Sequence, residues 1–113
     1  MIVVIPRKLK SENERDKMHW SKRHKERNAW YVLLRMRLPQ KYPPEHRVSI
    51  AIRSYRNRLI DFANLVGGDC KAVIDCLKQL GYIKDDSPRW FACDYQQFQV
   101  KKGDERTELE INL

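Results

Sequence analysis

The chain opens on four β-branched residues, Ile2 to Ile5, that stop at Pro6, a pattern that predicts a short first strand. A polar loop follows. Trp20, Trp30, Leu33, Leu34 and Met36 then recur within a Lys- and Arg-rich stretch, which predicts a basic amphipathic helix ending before Pro39. Residues 41–46 hold too much proline for a helix and read as a linker. Val48, Ile50 and Ile52 alternate with Ser49, Ala51 and Arg53, the period of a second strand. After Gly67-Gly68, the residues Cys70, Val73, Ile74, Leu77 and Leu80 fall at helical spacing, with Gly81 as the stop. Residues 90–100 have strand character. A last strand alternates Thr107, Leu109, Ile111 and Leu113 against Glu108, Glu110 and Asn112, and residues 101–105 read as the turn of a closing hairpin. The predicted order is β-α-β-α-β-β: one α+β domain over residues 1–113, with a small mixed sheet of about four strands and two main helices covering one face.

Length bounds this reading to one domain, since 113 residues support a single hydrophobic core. Charge changes the picture more. The formal net charge is +8, but residues 1–58 carry 16 Lys/Arg against 5 Asp/Glu, and residues 59–113 carry 7 against 10. A basic half joined to an acidic half suits a protein that grips a polyanion broadly and needs carboxylates at one point, as metal-dependent nucleases do; a merely soluble basic protein is the plainer alternative. Cys70, Cys76 and Cys93 are odd in number and lack metal-ligand spacing, so reduced core thiols are expected rather than disulfides or a zinc site. No apolar run approaches the ~20 residues needed to span a bilayer, so an intracellular, cytoplasmic protein without membrane attachment is expected.

The polar residues concentrate around the double glycine. Asp61 stands where the second strand's connection enters the second helix, and Asp85-Asp86 stand where that helix has ended. A helix of about a dozen residues is ~18 Å long, so these acids meet only if the segment after Gly81 runs back along the helix. Together they would suit Mg²⁺; separately, Asp61 suits a helix N-cap and Asp85-Asp86 a solvated turn before Pro88. Lys71 and Asp75 are spaced i,i+4, as a surface ion pair also is, though in the less favourable order. Gly67-Gly68 either form a flexible turn or let the backbone approach a phosphate at the helix start.

The run Asp61-x-x-Asn64, Lys71-x-x-x-Asp75-x-Leu77, Gly81, Asp85-Asp86 resembles the RusA family of Holliday junction resolvases, phage-derived endonucleases that cut four-way DNA junctions. Residues 9–13 and 100–113 also resemble the family's loop after the first strand and its closing Lys-Gly turn and strand. The resemblance implies a homodimeric α+β nuclease that hydrolyses phosphodiesters with Mg²⁺, or Mn²⁺ in its place, in DNA recombination and repair. It carries the catalytic roles to Asp61, Lys71 and Asp86, with Asp85 beside Asp86 as a further metal ligand and Asn64 and Asp75 as matching motif positions. It also implies a phage or prophage origin. Ala63 departs from the family pattern, standing where the motif has a second metal-binding aspartate. Asp69, across the glycines, is a candidate substitute. The alternative implied by Ala63 is a protein that binds branched DNA with impaired cleavage.

In this reading Asp61 and Asp86 hold the metal and Lys71 neutralises charge building on the scissile phosphate. Arg53, Arg56 and Arg58, with Lys22, Arg23, Lys25 and Arg27 of the first helix, are the expected phosphate contacts. Trp20, Trp30 and Trp90 are candidates for stacking on unpaired bases, with core packing the plainer role for Trp30. His19, His24 and His46 read as surface residues. A junction offers two symmetry-related strands and this chain one site, so a two-fold dimer is expected. A third reading is a small basic regulator whose second helix enters a DNA groove.

Overall fold

The computed structural model describes all of residues 1–113. It has four strands, β1 (Ile2–Ile5), β2 (Val48–Arg56), β3 (Phe91–Gln99) and β4 (Arg106–Asn112). Two long helices, α2 (Trp20–Arg37) and α4 (Asp69–Leu80), are joined by two five-residue ones, α1 (Glu12–Asp16) and α3 (Phe62–Val66). This is an α+β fold with a four-stranded mixed sheet, as the hydrophobic pattern predicts.

The sheet order is β1-β4-β2-β3, with β4 antiparallel to both neighbours and β3 parallel to β2. The expected closing hairpin is therefore not formed: β3 and β4 run in opposite directions, but β2 lies between them. Burial supplies the reason. In β2 the residues Val48, Ile50, Ala51 and Ile52 are all buried, so this strand takes a central place, whereas β3 carries Asp94, Gln96, Gln97 and Gln99 and sits at an edge. The 101–105 turn spans the end of β2, where Val100 N–H donates to Arg56 O.

One face of the sheet, bearing Val3, Ile5, Ile50, Ile52, Leu109 and Ile111, packs under Trp30 and Leu34 of α2 and Val73 and Leu77 of α4. α2 ends at Leu38, whose extended backbone is what the residue before Pro39 favours. α4 ends on Gly81 in the left-handed conformation, φ 90°, with Lys41 O so close that a Cβ would lie 1.7 Å from it. The 39–42 linker is thereby fastened to the end of α4, and Tyr82 Oη donates to Pro39 O at 2.6 Å.

The polar loop after β1 contains an unanticipated helix. Ser11 Oγ accepts from Glu14 N–H and Glu14 Oε1 accepts from Ser11 N–H, a capping box that starts α1. No helix of the chain is long and apolar enough to cross a membrane.

Candidate functional site

The segment after Gly81 does run back along α4. Tyr82 and Ile83 are buried against the core, Asp85 reaches Lys78 at 3.0 Å, and Asp86 arrives beside residues of the helix's first half. There Lys71, Ile74 and Asp75 of α4, Asp86, and Phe91 and Tyr95 of β3 line one concavity of about 310 Å³. Two acids and a lysine thus face an apolar wall formed by the edge strand. None of Lys71, Asp75, Asp86 or Asp61 takes part in any of the molecule's ion pairs. Their charges are not spent on one another, the plainer role open to Lys71 and Asp75.

Asp61 does not line this concavity. It occupies the N-cap position of α3, where its exposed side chain makes no capping hydrogen bond. Its neighbour Phe62 meets the Tyr95 ring edge-on, centroids 6.1 Å apart, so Asp61 lies one residue from a contact with the concavity's wall. Asp85 is turned away: its hydrogen bond to Lys78 holds its carboxyl below the usual carboxylate range. Asn64 is used structurally, its Oδ1 accepting from Asn13 N–H at 3.1 Å and tying α3 to α1. Ala63 is exposed on α3, so a larger side chain there meets solvent.

Asp69 is not free to replace an aspartate at position 63. It is fully buried, accepting from Lys10 N–H at 2.8 Å and from Arg15 Nη1 at 2.9 Å. Burial pushes its carboxyl pKa up. Beside it Glu26 accepts from Arg7 and pairs with Lys10 at 3.0 Å; burial works to raise its pKa, but Arg7 and Lys10 outweigh that and hold it low. The double glycine belongs to this same junction. A Cβ on Gly68 would stand 2.0 Å from Lys10 O, and Asp69 N–H donates to that carbonyl. Gly68 therefore admits a protein carbonyl at the start of α4, in the place of a phosphate, and the space a Cβ on Gly67 would fill is taken by the Glu12 side chain.

The expected DNA contacts divide into two groups. Lys22, Arg23 and Lys25 are exposed on α2, and Arg58 is exposed after β2. Arg27 bonds Gln79, and Arg53 is held on the open sheet face by Glu108 at 2.9 Å and Glu110 at 3.6 Å. Arg56 is buried, its guanidinium donating to the Leu9 and Arg58 carbonyls. Arg53 is thereby occupied by two carboxylates, and Arg56 spends Nε and Nη1 on protein acceptors, so neither is the freely exposed phosphate contact that was expected. Trp30 is core, Trp20 is 70 % exposed, and Trp90 lies between Lys84 and Arg89. His19 caps α2 with its ring nitrogen, and His24 and His46 are exposed. All three cysteines are unpaired thiols; burial pushes Cys70 up to about 12 and Cys76 and Cys93 to about 11.

Phe91 and Tyr95 are site residues that sequence reading passed over. The signal for them is the period-2 placement of Phe91, Cys93 and Tyr95 on the helix-facing side of β3, opposite Val48, Ile50 and Ile52. No three His, Cys, Asp or Glu side chains converge as a metal cluster. Asp75 and Asp86 are nonetheless oxygen donors of the kind Mg²⁺ takes when it keeps several waters and completes its shell with substrate phosphate. No protein-family model matches the chain, and no curated protein matches it significantly.

Proposed function

We propose that this protein is a RusA-like, structure-selective endodeoxyribonuclease that nicks four-way or branched DNA as a homodimer with Mg²⁺, in recombination and repair. The observation that carries the reading is the meeting of Lys71, Asp75 and Asp86, all free of ion pairs, in one concavity to which residues far apart in sequence are brought. The exposed basic residues of α2 and Arg58 supply general attraction for a polyanion.

Asp86 and Asp75, with Asp61 beyond the Phe62–Tyr95 contact, are the carboxylates that would hold the metal. A Mg²⁺ held by these carboxylates would supply activation of a water and stabilisation of the leaving 3′-oxygen. Lys71 would place its ammonium against the scissile phosphate and offset the charge that accumulates there. Phe91 and Tyr95 form an apolar wall on one side of the concavity, which would strengthen both electrostatic interactions once DNA covers the other. Cytoplasmic location and phage origin belong to the same proposal.

A second reading rests on Ala63: with one carboxylate fewer than the motif, the protein grips branched DNA and cleaves it weakly. Nicking of a synthetic four-way junction beside a linear duplex of the same sequence, with Mg²⁺ or Mn²⁺, separates the two. Junction-selective nicking that falls at least about 100-fold in Lys71→Met and Asp86→Asn supports the nuclease. Junction binding with cleavage only in Ala63→Asp supports the second reading. Equal affinity for junction and duplex in every variant overturns both.

A further inference from the structure

A second concavity, of about 450 Å³, opens where three connections meet at one end of the sheet. Lys8 comes from the β1–α1 connection, Arg56, Asn57, Arg58 and Ile60 from the end of β2, and Lys102 and Glu105 from the β3–β4 connection, with Glu14 of α1 at the side. Arg56 is the unusual member. It is 3 % exposed, and its Nε donates to Arg58 O at 2.9 Å while Nη1 donates to Leu9 O at 3.0 Å and Ser54 Oγ at 3.3 Å. Its remaining terminal nitrogen, Nη2, has no protein partner, and no carboxylate forms an ion pair with it. The guanidinium thus spends Nε and Nη1 on neutral acceptors, has no counter-charge on the protein, and turns its one free terminal nitrogen to the cleft.

The rest of the lining fits that anion. Arg58 and Lys102 are exposed and enter no ion pair. The two carboxylates present are already engaged, Glu105 with Lys8 at 3.7 Å and Glu14 with Ser11 N–H at 3.3 Å. The planar fork of Arg56, pinned through its other nitrogens, presents a fixed donor edge of the kind that matches a phosphate.

We propose that this cleft binds a phosphate group of a nucleic-acid backbone, through Arg56 Nη2, Arg58 and Lys102. A backbone phosphate is favoured over that of a small metabolite because Ile60 is the one apolar residue in the lining, whereas pockets for organic ligands are predominantly apolar. The chain passes directly from Ile60 of this cleft to Asp61, so a strand held here is held beside the residue whose neighbour touches the Lys71/Asp86 concavity. The choice of DNA as the source rests on the function proposed above; the anion site itself does not.

The test is the salt dependence of duplex and junction binding by the full chain, compared with Arg58→Gln/Lys102→Gln and with Lys41→Gln/Arg47→Gln, which removes equal charge at the other end of the sheet. Each lost phosphate contact lowers the slope of log affinity against log salt by about 0.9, so with one phosphate in the cleft the cleft pair is expected to lose up to about 0.9 and the control pair almost nothing. Inorganic phosphate is expected to raise the melting temperature of the unaltered chain but not of the cleft pair. Equal slope losses in both pairs would show that net charge alone acts and would overturn the site. Phosphate stabilisation that requires the cleft, with an unchanged DNA slope, would overturn the backbone as source in favour of a free phosphate compound. A lowered slope in a protein that nicks no junction would leave this site standing and remove the nuclease reading.

Discussion

Gly68 and Gly103 show how much a single position depends on its surroundings. Gly68 has a negative φ, −87°, but an added Cβ would stand 2.0 Å from Lys10 O and 2.8 Å from Ser11 C, both backbone atoms with little room to move. Gly103 has φ 100°, yet nothing lies within 4 Å of its would-be Cβ. Gly68→Ala is therefore expected to cost more than about 3 kcal/mol, with the start of α4 pushed off the 10–12 segment. Gly103→Ala should cost about 1 kcal/mol, the local price of a left-handed backbone. Urea unfolding of the two variants checks the order; a milder effect at Gly68 would mean the 10–12 segment moves freely. At this scale the sequence discloses which residues are polar but not where their bonds go. Arg53, Arg56 and Asp69 look as available as Arg58 or Asp86 in the linear chain. Partners about fifty residues away, Glu108, Leu9 and Lys10, decide otherwise.

Among elements, the junction of α4 with α1 and α2 combines buried charge with a distinct acid response. Glu26, one turn before Trp30 on the buried stripe of α2, is held between Arg7 and Lys10. Its folded pKa lies below the ordinary 4.5, so its contribution to stability is complete above 4.5 and is lost as the pH falls through the lowered value. Glu26→Gln should lower stability at neutral pH by about 2 kcal/mol, the scale of charge-assisted hydrogen bonds. The gap between the two proteins should then close as the pH drops below 4.5. Denaturant midpoints across that range test it, and a gap independent of pH would assign the loss to packing. The long elements were legible because their apolar periods are strong: β2, α4 with its Gly81 stop, and α2 up to Pro39 all stand where the pattern puts them. α1 was missed: five residues are too few for an apolar period to show, and its one signal, the Ser11-x-x-Glu14 capping box, lies within a stretch that reads as a polar loop. The β3–β4 turn misled because turn residues report that a chain reverses, not how many strands lie between its arms.

For the whole molecule, the two concavities lie in different parts of the fold. The Lys71/Asp86 concavity lies between α4 and β3, and the cleft with Arg58 and Lys102 lies at the end of the sheet where β2 leaves it. Each chain has one such pair of features, so under the proposed function cutting both strands of a symmetrical junction would need two chains. Sedimentation in the presence of junction DNA should give a protein component of twice the 13.6 kDa chain mass. One chain per junction under conditions that sustain paired nicking would overturn the two-fold arrangement. The outer edge of β3, nine residues long with Asp94 as its one charge, is unpaired within the chain, as is the outer edge of β1, and either edge is open to pairing with a second copy.

The sheet order also sets when the fold can be completed. β1 pairs only with β4, joining Ile2 to Glu110 and Ile5 to Thr107 across nearly the full chain. Val3 and Ile5, buried in the finished protein, have no strand beside them until residues 106–112 exist and have docked against β2. On a ribosome the first strand made is thus the one that waits longest, and in refolding the closure of this longest loop is the step expected to set the pace.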